Sequence, residues 1–358
     1  MSKARQLADL GNQVDDGAIT GSNMVVNGGM TVSQRGVSFV SPASGDWLLD
    51  RVLYQYNVTT ARITVTQESD GVVGVSPKSF KTQITTAANA SPSTTDYTQF
   101  VYNFEGNDVD HLGLGTASCK PITLSFYIKC STTGTLPIGV SNAGTRSFPA
   151  TYNVTEANVW QRHIIKIPAV TDGSWGSGIN KGLELRLGLE YGSNYTGGTA
   201  NEWNSTSGYV NFTTTYTNPV ASTLNATWQI TGVCLNVGDS AIDFPHDESY
   251  GDTLAKCQRY FQKITSGNLR FVVTRDNNAS TSASTISLPV GLRASPTVSG
   301  TSTKVAAASG SALGSGSSNL RGWDANSPSQ VSIGASSGVT ATTGVAAFWF
   351  NTDIDAEL

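Results

Sequence analysis

The sequence contains few charged residues and no run of basic ones. Asp, Glu, Lys and Arg make up 13% of its 358 residues, and the formal net charge is −4; the usual charged share is about 25%. A nucleic-acid-binding surface would show clustered Lys and Arg, so we expect no nucleic-acid partner. The sequence also lacks an apolar stretch of signal-peptide or membrane-spanning length. We therefore expect a soluble chain with no secretory export and no membrane insertion.

Cysteine and histidine are also scarce, which limits metal and catalytic sites. The cysteines are Cys119, Cys130, Cys234 and Cys257. They show no CxxC spacing and no His at zinc-site intervals, so we expect reduced, mostly buried thiols rather than disulfides. The histidines are His111, His163 and His246. None lies in a metalloprotease or nucleophile motif, and His163 shares a strand face with Ile165 and Ile167, which favours a partly buried structural imidazole. We predict no catalytic residue, no metal site and no cofactor.

One acidic cluster could bind Ca²⁺, because oxygen-rich loops on sandwiches often do so. It consists of Glu105, Asp108, Asp110 and His111. Its spacing does not match an EF-hand loop, and a solvated turn before the next strand is the simpler interpretation. Paired carboxylates for glycoside hydrolysis can lie on different strands, but nothing in the sequence singles out a pair. No short repeat of a β-helical depolymerase is visible.

The residues that are abundant favour strands and turns. Glycine occurs 37 times, among many Ser, Thr and Asn residues. Apolar residues alternate with polar ones at Ile122, Leu124, Phe126 and Ile128, and again at Leu183, Leu185, Leu187 and Leu189. Further runs lie at 62–67, 160–167, 209–216 and 227–237. Many short strands without intervening helices predict an all-β fold built on an antiparallel β-sandwich.

Two short segments carry a helical pattern. Leu7, Leu10 and Val14 would form one apolar stripe near the N-terminus, although Gly11 weakens that helix. Leu254, Cys257, Phe261 and Ile264 fall on one helical face, after acidic and capping residues. The last ninety or so residues can form a small β domain, with the run Phe348–Phe350 indicating a central last strand. We therefore divide the chain into an N-terminal segment (1–22), helical or extended, a sandwich (23–248), a linking helix (249–264) and a C-terminal β domain (265–358).

Aromatic residues on Gly, Ser and Asn loops are candidates for sugar binding, because sugar rings stack on Trp and Tyr. The candidates are Trp175, Tyr191, Tyr195, Trp203 and, in the C-terminal domain, Trp323. The alternative is that Trp175 and Trp203 close the ends of the sandwich. The segment GDWLLDRVLYQY contains Asp50 and Arg51, for which we predict a buried structural role.

Three strings in the chain resemble segments of one family. They are NMVVNGGMTVSQRG (23–36), EGNDVDHLGLGTASCKPITLSFYIKC (105–130) and WQITGVCLNVGDSAIDFPHDESYGDTLAKCQRYFQKI (228–264). They resemble the opening, the central strands and the closing of a carbohydrate-binding-module-like jelly roll that recurs in bacteriophage tail fibres and other virion appendages, here of a cyanophage-like phage. Asp50 and Arg51 also match an Asp-Arg pair of the family. In the family an aromatic residue usually follows that pair, whereas Val52 follows it here.

The resemblance implies a function as a structural virion protein. It implies a tail fibre subunit, usually a homotrimer in this family, that binds host surface polysaccharide without catalysis. The segment with Leu7, Leu10 and Val14 would dock on other virion proteins of the tail, baseplate or capsid. The chain would be made in the host cytoplasm and reside on the phage particle surface. A capsid decoration or head-fibre protein and a glycan-degrading tailspike enzyme remain the alternatives.

Overall fold

A computed structural model of the chain reveals a β protein whose described strand pairs are antiparallel. The described residues are 23–57, 62–87, 92–142, 144–205, 216–217, 220–245, 249–265, 282–307, 312–313, 318–327, 330–335 and 346–357. Beyond residue 263 the described side chains are those of residues 287–297, 299 and 353–357. The chain divides into two compact units, one ending at Thr253 and one covering Leu254–Glu357.

The described strands of the first unit form two six-stranded sheets. Sheet 1 has the spatial order β1 (Ser38–Val40), β3 (Ile63–Glu68), β4 (Ser79–Ile84), β12 (Thr227–Val237), β6 (Ile122–Cys130) and β9 (Gln161–Ile167). Sheet 2 has the spatial order β11 (Asn204–Ser205), β8 (Arg146–Val154), β7 (Gly134–Ser141), β10 (Lys181–Tyr191), β5 (Tyr97–Glu105) and β2 (Leu53–Tyr56). Strands far apart in sequence, such as β4 and β12, are neighbours, as in a jelly roll. The predicted antiparallel sandwich is confirmed.

The alternating apolar runs face each other between the sheets. In β6 the inward residues Ile122, Leu124, Phe126 and Ile128 are at most 2% exposed. In β10 the four alternating leucines are at most 1% exposed. Strand β12 pairs with β6 through a bulge between Thr231 and Cys234. Gly232 lies in this bulge with φ of 61°, and an added Cβ would come 2.6 Å from Val75 Cγ1. The bend therefore requires glycine.

Trp228 lies at the centre of this core. It has no exposed surface, and its ring stacks on Phe100 with centroids 5.6 Å apart. Its indole Nε1–H donates a 2.8 Å hydrogen bond to the Tyr152 hydroxyl, which is also buried. Burying about 200 Å² of aromatic surface contributes roughly 5 kcal/mol at about 25 cal/mol per Å². The buried indole is tolerated because its only polar atom has a partner.

The N-terminal string is fastened to the sandwich by Asp50 and Arg51. Gln34 donates to both carboxylate oxygens of Asp50 through its backbone and side-chain nitrogens, each at 2.6 Å. Asn27 donates to the Asp50 carbonyl oxygen at 3.1 Å, and Arg51 donates to the carbonyl oxygen of Asn103 on β5. Asp50 and Arg51 are 1% and 3% exposed, and burial raises the pKa of Asp50. Their predicted structural role is confirmed.

The described helices are α1 (Gly106–Val109) and α2 (Tyr250–Gln258). At the start of α2, Ser249 and Asp252 cap each other, because Asp252 N donates to Ser249 Oγ at 3.2 Å and Ser249 N donates to Asp252 Oδ2 at 3.1 Å. The helix is shorter than the predicted 249–264. The segment predicted as its last turn forms strand β13 (Phe261–Thr265) instead. There the backbone pairs with the last strand of the chain, and this pairing outweighs the helical spacing of the apolar residues.

The described strands of the second unit form one antiparallel sheet. Its spatial order is β13, β19 (Ala346–Asp355), β15 (Thr297–Ala307), β17 (Ser318–Ser327), β18 (Gln330–Ala335) and β14 (Ser282–Ser287), and β16 (Ala312–Leu313) pairs with β15. Strand β19 lies between two others, so the prediction of a central last strand is confirmed. Ala356 follows β19, and its carbonyl oxygen accepts a 3.0 Å hydrogen bond from Arg293.

Candidate functional site

Two tryptophans on separate loops meet at one end of the sandwich. Trp175 lies in the loop between β9 and β10, and Trp203 lies just before β11. Their ring centroids are 5.7 Å apart and the rings are perpendicular. Both side chains are partly buried and pack against the core. We name the group formed by Trp175, Trp203, Arg146 and Asp172 the tryptophan corner.

Trp175 is held by two loops that contain glycine at special positions. Its Nε1–H donates to the Asp172 carbonyl oxygen at 3.0 Å. Gly115 and Gly173 both have positive φ, at 77° and 93°. A Cβ on Gly115 would come 2.7 Å from Trp175 Cδ1, and one on Gly173 would come 3.2 Å from Nε1. The indole therefore fits only because the neighbouring backbone has no side chains.

Trp203 is held in the same manner from the other side. Its Nε1–H donates to the Pro168 carbonyl oxygen at 2.7 Å. Its ring packs on Phe148 of β8, with centroids 5.6 Å apart, and Phe148 is a core residue with 1% exposure. Each indole nitrogen is thus bonded to backbone, so both rings are fixed in orientation before any ligand arrives.

Arg146, the first residue of β8, joins the two tryptophan loops. Its Nε donates to Asp172 Oδ1 at 2.6 Å, and its Nη2 donates to Asp172 Oδ2. Its Nη1 donates to Ser205 Oγ at 3.0 Å. Asp172 belongs to the Trp175 loop and Ser205 follows Trp203 closely. One planar guanidinium therefore sets the spacing of the two loops through a two-pronged ion pair.

Asn142 shapes the turn that delivers Arg146. Its Oδ1 accepts hydrogen bonds from the backbone nitrogens of Gly144, Thr145 and Arg146 at 2.8 to 3.0 Å. Its Nδ2 donates to the Ser174 carbonyl oxygen at 2.8 Å. This is the local role for which Asn is suited in turns. It connects the β7–β8 turn to the residue before Trp175.

The chemistry of the tryptophan corner suits a sugar ring. Partly exposed indoles offer apolar faces and edges to C–H groups, and a carboxylate accepts hydrogen bonds from hydroxyls. The Asp172 side chain is 61% exposed. The hydrogen bond from Arg146 holds the pKa of Asp172 below its ordinary value, so the group is an ionised acceptor at neutral pH. The two predicted roles of the tryptophans, closing the sandwich end and lining a rim, are compatible in this geometry.

The structure corrects the prediction for Tyr191 and Tyr195. They are 3% and 6% exposed, and the partly buried rings of Tyr97 and Tyr216 pack against them. The Tyr191 hydroxyl donates to Gln99 Oε1 at 2.7 Å. Residue 191 ends strand β10 rather than belonging to a free loop, and its ring lies over the sheet. Rings that are this well covered offer no face to a sugar.

The other predicted site residues stay untested by the described geometry. Trp323 lies on strand β17, where its backbone pairs with Ser332, and its side chain is outside the described residues. Leu7, Leu10 and Val14 also lie outside the described residues. Sequence reasoning did not find Arg146, Asp172 or Asn142. The only local signal was the position of Asp172 three residues before Trp175.

The central strands β5 and β10 of sheet 2 are buried on both faces, which the alternating leucines of β10 did not predict. Glu184 and Arg186, between those leucines, are 3% and 9% exposed. Glu184 accepts hydrogen bonds from Arg186, Lys181 and, at 3.2 Å, Ser141. Burial alone would raise the pKa of Glu184, but the charges of Arg186 and Lys181 hold it below its ordinary value. A polar network therefore occupies the outer face of this sheet.

The acidic cluster becomes a turn of helix. Glu105 ends β5 and is fully buried, while α1 and a following 3₁₀ turn, Asp110–Leu112, carry the other members. In the part of the chain that the structure describes, no group of three or more His, Cys, Asp and Glu residues could hold a metal ion.

All four cysteines are free and three of them are buried, as predicted. Among the described helices, none has the length and apolarity needed to cross a membrane.

Comparisons with solved structures yield distant likenesses. No family model matches the chain, and no curated protein matches it. The enzymatically active domain of tailspike protein 4 from bacteriophage CBA120 is similar over 60% of this chain, with 13% identity and a TM-score of 0.34. The match spans 21% of that protein's length.

Carbohydrate-binding modules give similar values. TmCBM61 in complex with β-1,4-galactotriose matches 60% of this chain and 99% of its own, with 8% identity and a TM-score of 0.30. The family 11 module from Clostridium thermocellum, in complex with a β-1,3-1,4-mixed-linked tetrasaccharide, matches 58% of this chain and 99% of its own, with 10% identity and a TM-score of 0.26. Likeness at this level says nothing of what this chain binds.

Proposed function

We propose that the chain is a non-catalytic structural protein of a phage particle, a tail fibre subunit that adheres to glycan on the host surface. The observation that carries this proposal is the tryptophan corner. Two indoles, each locked by a hydrogen bond to backbone, lie beside an ionised carboxylate at 61% exposure. Rigid aromatic rings next to a fixed acceptor are what a sugar-binding rim requires, because little ordering is left to occur on binding. The phage assignment rests on the three strings in residues 23–264.

The same geometry favours binding over catalysis. Glycoside hydrolysis needs an acid and a second carboxylate across the scissile bond. Asp172 is engaged by Arg146 through both oxygens, and its lowered pKa makes it a poor proton donor at neutral pH. It therefore suits hydrogen bonding to hydroxyls rather than general acid chemistry.

The remaining parts of the proposal follow the domain plan. Residues 1–22, with Leu7, Leu10 and Val14, dock on other virion proteins, and the C-terminal β domain, residues 265–358, lies distal. A homotrimer on the particle surface would present three weak sites together and gain from effective concentrations in the mM range. A capsid decoration or head fibre would need the same anchor and body, and locating the chain on virions by cryo-EM distinguishes that alternative.

Binding of the purified protein to host cells or extracted host polysaccharide tests the proposal. We expect Trp175→Ala and Trp203→Ala each to weaken binding about tenfold, the loss expected for one aromatic contact of roughly 1.5 kcal/mol. Trp160→Ala is the matched control, because Trp160 is also partly buried but precedes β9, where it contacts Lys129.

Three outcomes would contradict parts of the proposal. If Trp175→Ala and Trp203→Ala bind as tightly as the Trp160→Ala control, the tryptophan corner is not the binding site. Release of new reducing ends from the polysaccharide would establish a tailspike enzyme instead. Absence of binding to every host glycan would contradict adhesion itself. Unchanged melting temperatures in the variants would separate lost contacts from lost folding.

A further inference from the structure

The charges around the tryptophan corner are few. Four described loops meet there: residues 142–146 without 143, 168–180, 199–205 and the loop of Gly115, 113–121. Their charged side chains are Lys120, Arg146, Asp172 and Glu202. Cations and carboxylates are equal in number, so the placement of each charge decides what a ligand meets. Glu202 is exposed and directly precedes Trp203.

Arg146, the cation that joins the two tryptophan loops, is already engaged. Arg146 donates to both oxygens of Asp172, to the Thr145 carbonyl oxygen at 2.9 Å and to Ser205 Oγ at 3.0 Å. Its side chain is 19% exposed, whereas that of Asp172 is 61% exposed. A ligand approaching from solvent therefore meets the carboxylate before the guanidinium. Pairing with Asp172 also raises the pKa of Arg146, so the ion pair persists across the neutral range.

We propose that the tryptophan corner takes uncharged sugar residues and rejects anionic ones, and that Asp172 is the residue that imposes this selection. The inference rests on the proposed function and deepens it by naming the ligand class. A carboxylate has about four lone-pair positions, and Arg146 occupies two of them on Asp172. The others accept hydrogen bonds from the hydroxyls of a neutral sugar. A uronic acid, sulfate or phosphate group brings only acceptors and a like charge to the same place, and both are unfavourable.

Asp172 both repels anions and covers the charge of Arg146. One substitution at Asp172 should therefore reverse the preference for neutral sugars. Asp172→Asn keeps the size of the side chain and one acceptor oxygen but removes the negative charge. Arg146 then becomes an uncompensated guanidinium, the group best suited to carboxylates and phosphates. Glu202→Gln is the matched control, because it removes a neighbouring charge without releasing Arg146.

The experiment measures binding of the full-length protein to printed neutral oligosaccharides and to uronic-acid-containing and sulfated ones at equal density. We expect the wild-type protein to bind within the neutral set, with binding about tenfold weaker in Trp175→Ala and Trp203→Ala. In Asp172→Asn, the ratio of acidic to neutral binding should rise roughly tenfold, from the loss of one repulsion and the gain of one exposed ion pair. Added salt should reduce that gain, and Glu202→Gln should change the ratio less.

Each outcome decides between the two proposals. Wild-type binding to acidic glycans that depends on the tryptophans overturns the charge selection and leaves adhesion standing. An unchanged ratio in Asp172→Asn, with an unchanged melting temperature, overturns the role of Asp172. Binding to neither set counts against the proposed adhesion and, with it, this inference.

Discussion

A buried ion pair between the sheets allows a quantitative test of the sandwich. Arg62, which precedes β3 of sheet 1, donates from Nη1 to Glu190 Oε2 at 2.8 Å and to Oε1 at 3.2 Å. Glu190 lies near the end of β10 in sheet 2, and its side chain is 1% exposed, against 14% for Arg62. The carboxylate is thus the deeper partner. Arg62→Met would leave it charged and buried without a cation.

The expected loss follows from this burial. Removing one partner of a buried pair costs about 3 to 5 kcal/mol of unfolding free energy. For a unit of this size, each kcal/mol corresponds to about 2 to 4 °C in Tm, so Tm should fall by roughly 6 to 20 °C at pH 7. Lys81→Met is the control, because Lys81 and Glu68 are about one-third exposed and 3.6 Å apart. Such surface pairs contribute about 0 to 1 kcal/mol.

The pH dependence supplies a second signature. Burial raises the pKa of Glu190, and Arg62 counteracts this. Without Arg62 the folded-state pKa rises further above the unfolded value of about 4.3. The folded variant then binds a proton more readily than the unfolded chain, so its stability increases as pH falls through that raised pKa towards the unfolded value. The deficit of Arg62→Met relative to wild type should therefore shrink at pH 5.

Thermal unfolding followed by near-UV circular dichroism at pH 7 and pH 5 measures both effects. Glu190→Gln should cost less than Arg62→Met, because the guanidinium that remains is nearer to solvent. An Arg62→Met loss no greater than that of Lys81→Met, with no recovery at pH 5, would refute the reasoning, since Glu190 would then have to be hydrated.

Two further predictions concern the core. Tyr152→Phe should lower the unfolding free energy by about 1 to 3 kcal/mol in denaturant titration, because it leaves the buried indole N–H of Trp228 without its 2.8 Å partner; a neutral result would mean that the indole finds another acceptor. Burial between the rings of Phe126 and Tyr152 lowers the pKa of His163. Because the unfolded chain then binds the proton more readily, wild-type stability should fall as pH drops below about 6.5, and His163→Phe should lose less Tm between pH 7 and pH 5. Equal losses in both proteins would contradict this.

The strands of the sandwich could be predicted because their signal is local. Residues 227–237, predicted as a run, are strand β12 itself, and the alternating leucines of β10 do face the core. The helical spacing of Leu254, Cys257 and Phe261 predicted the helix but not where it ends. Cys257 and Phe261 are both buried, but Phe261 is buried in a strand, because an apolar residue four positions on can be covered in either structure.

The candidate site could be predicted only in part. Trp175 and Trp203 stood out as aromatic residues in polar loops, and they do meet. Tyr191 and Tyr195 carried the same signal and are buried among other tyrosines. Composition of a loop indicates turns, but it does not indicate what packs over an aromatic ring.

By itself the sequence determined the all-β class and the inward apolar faces of β6 and β10, because these depend on a period of two. The buried role of Asp50 and Arg51 was predicted at a position that the family resemblance marks. Only the tertiary structure decided which strands are neighbours and where the tryptophan corner lies. Arg146 and Asp172 are 26 positions apart, and Ser205 is 59 positions from Arg146. Their meeting depends on the order of strands in sheet 2, and no local pattern encodes contacts over such separations.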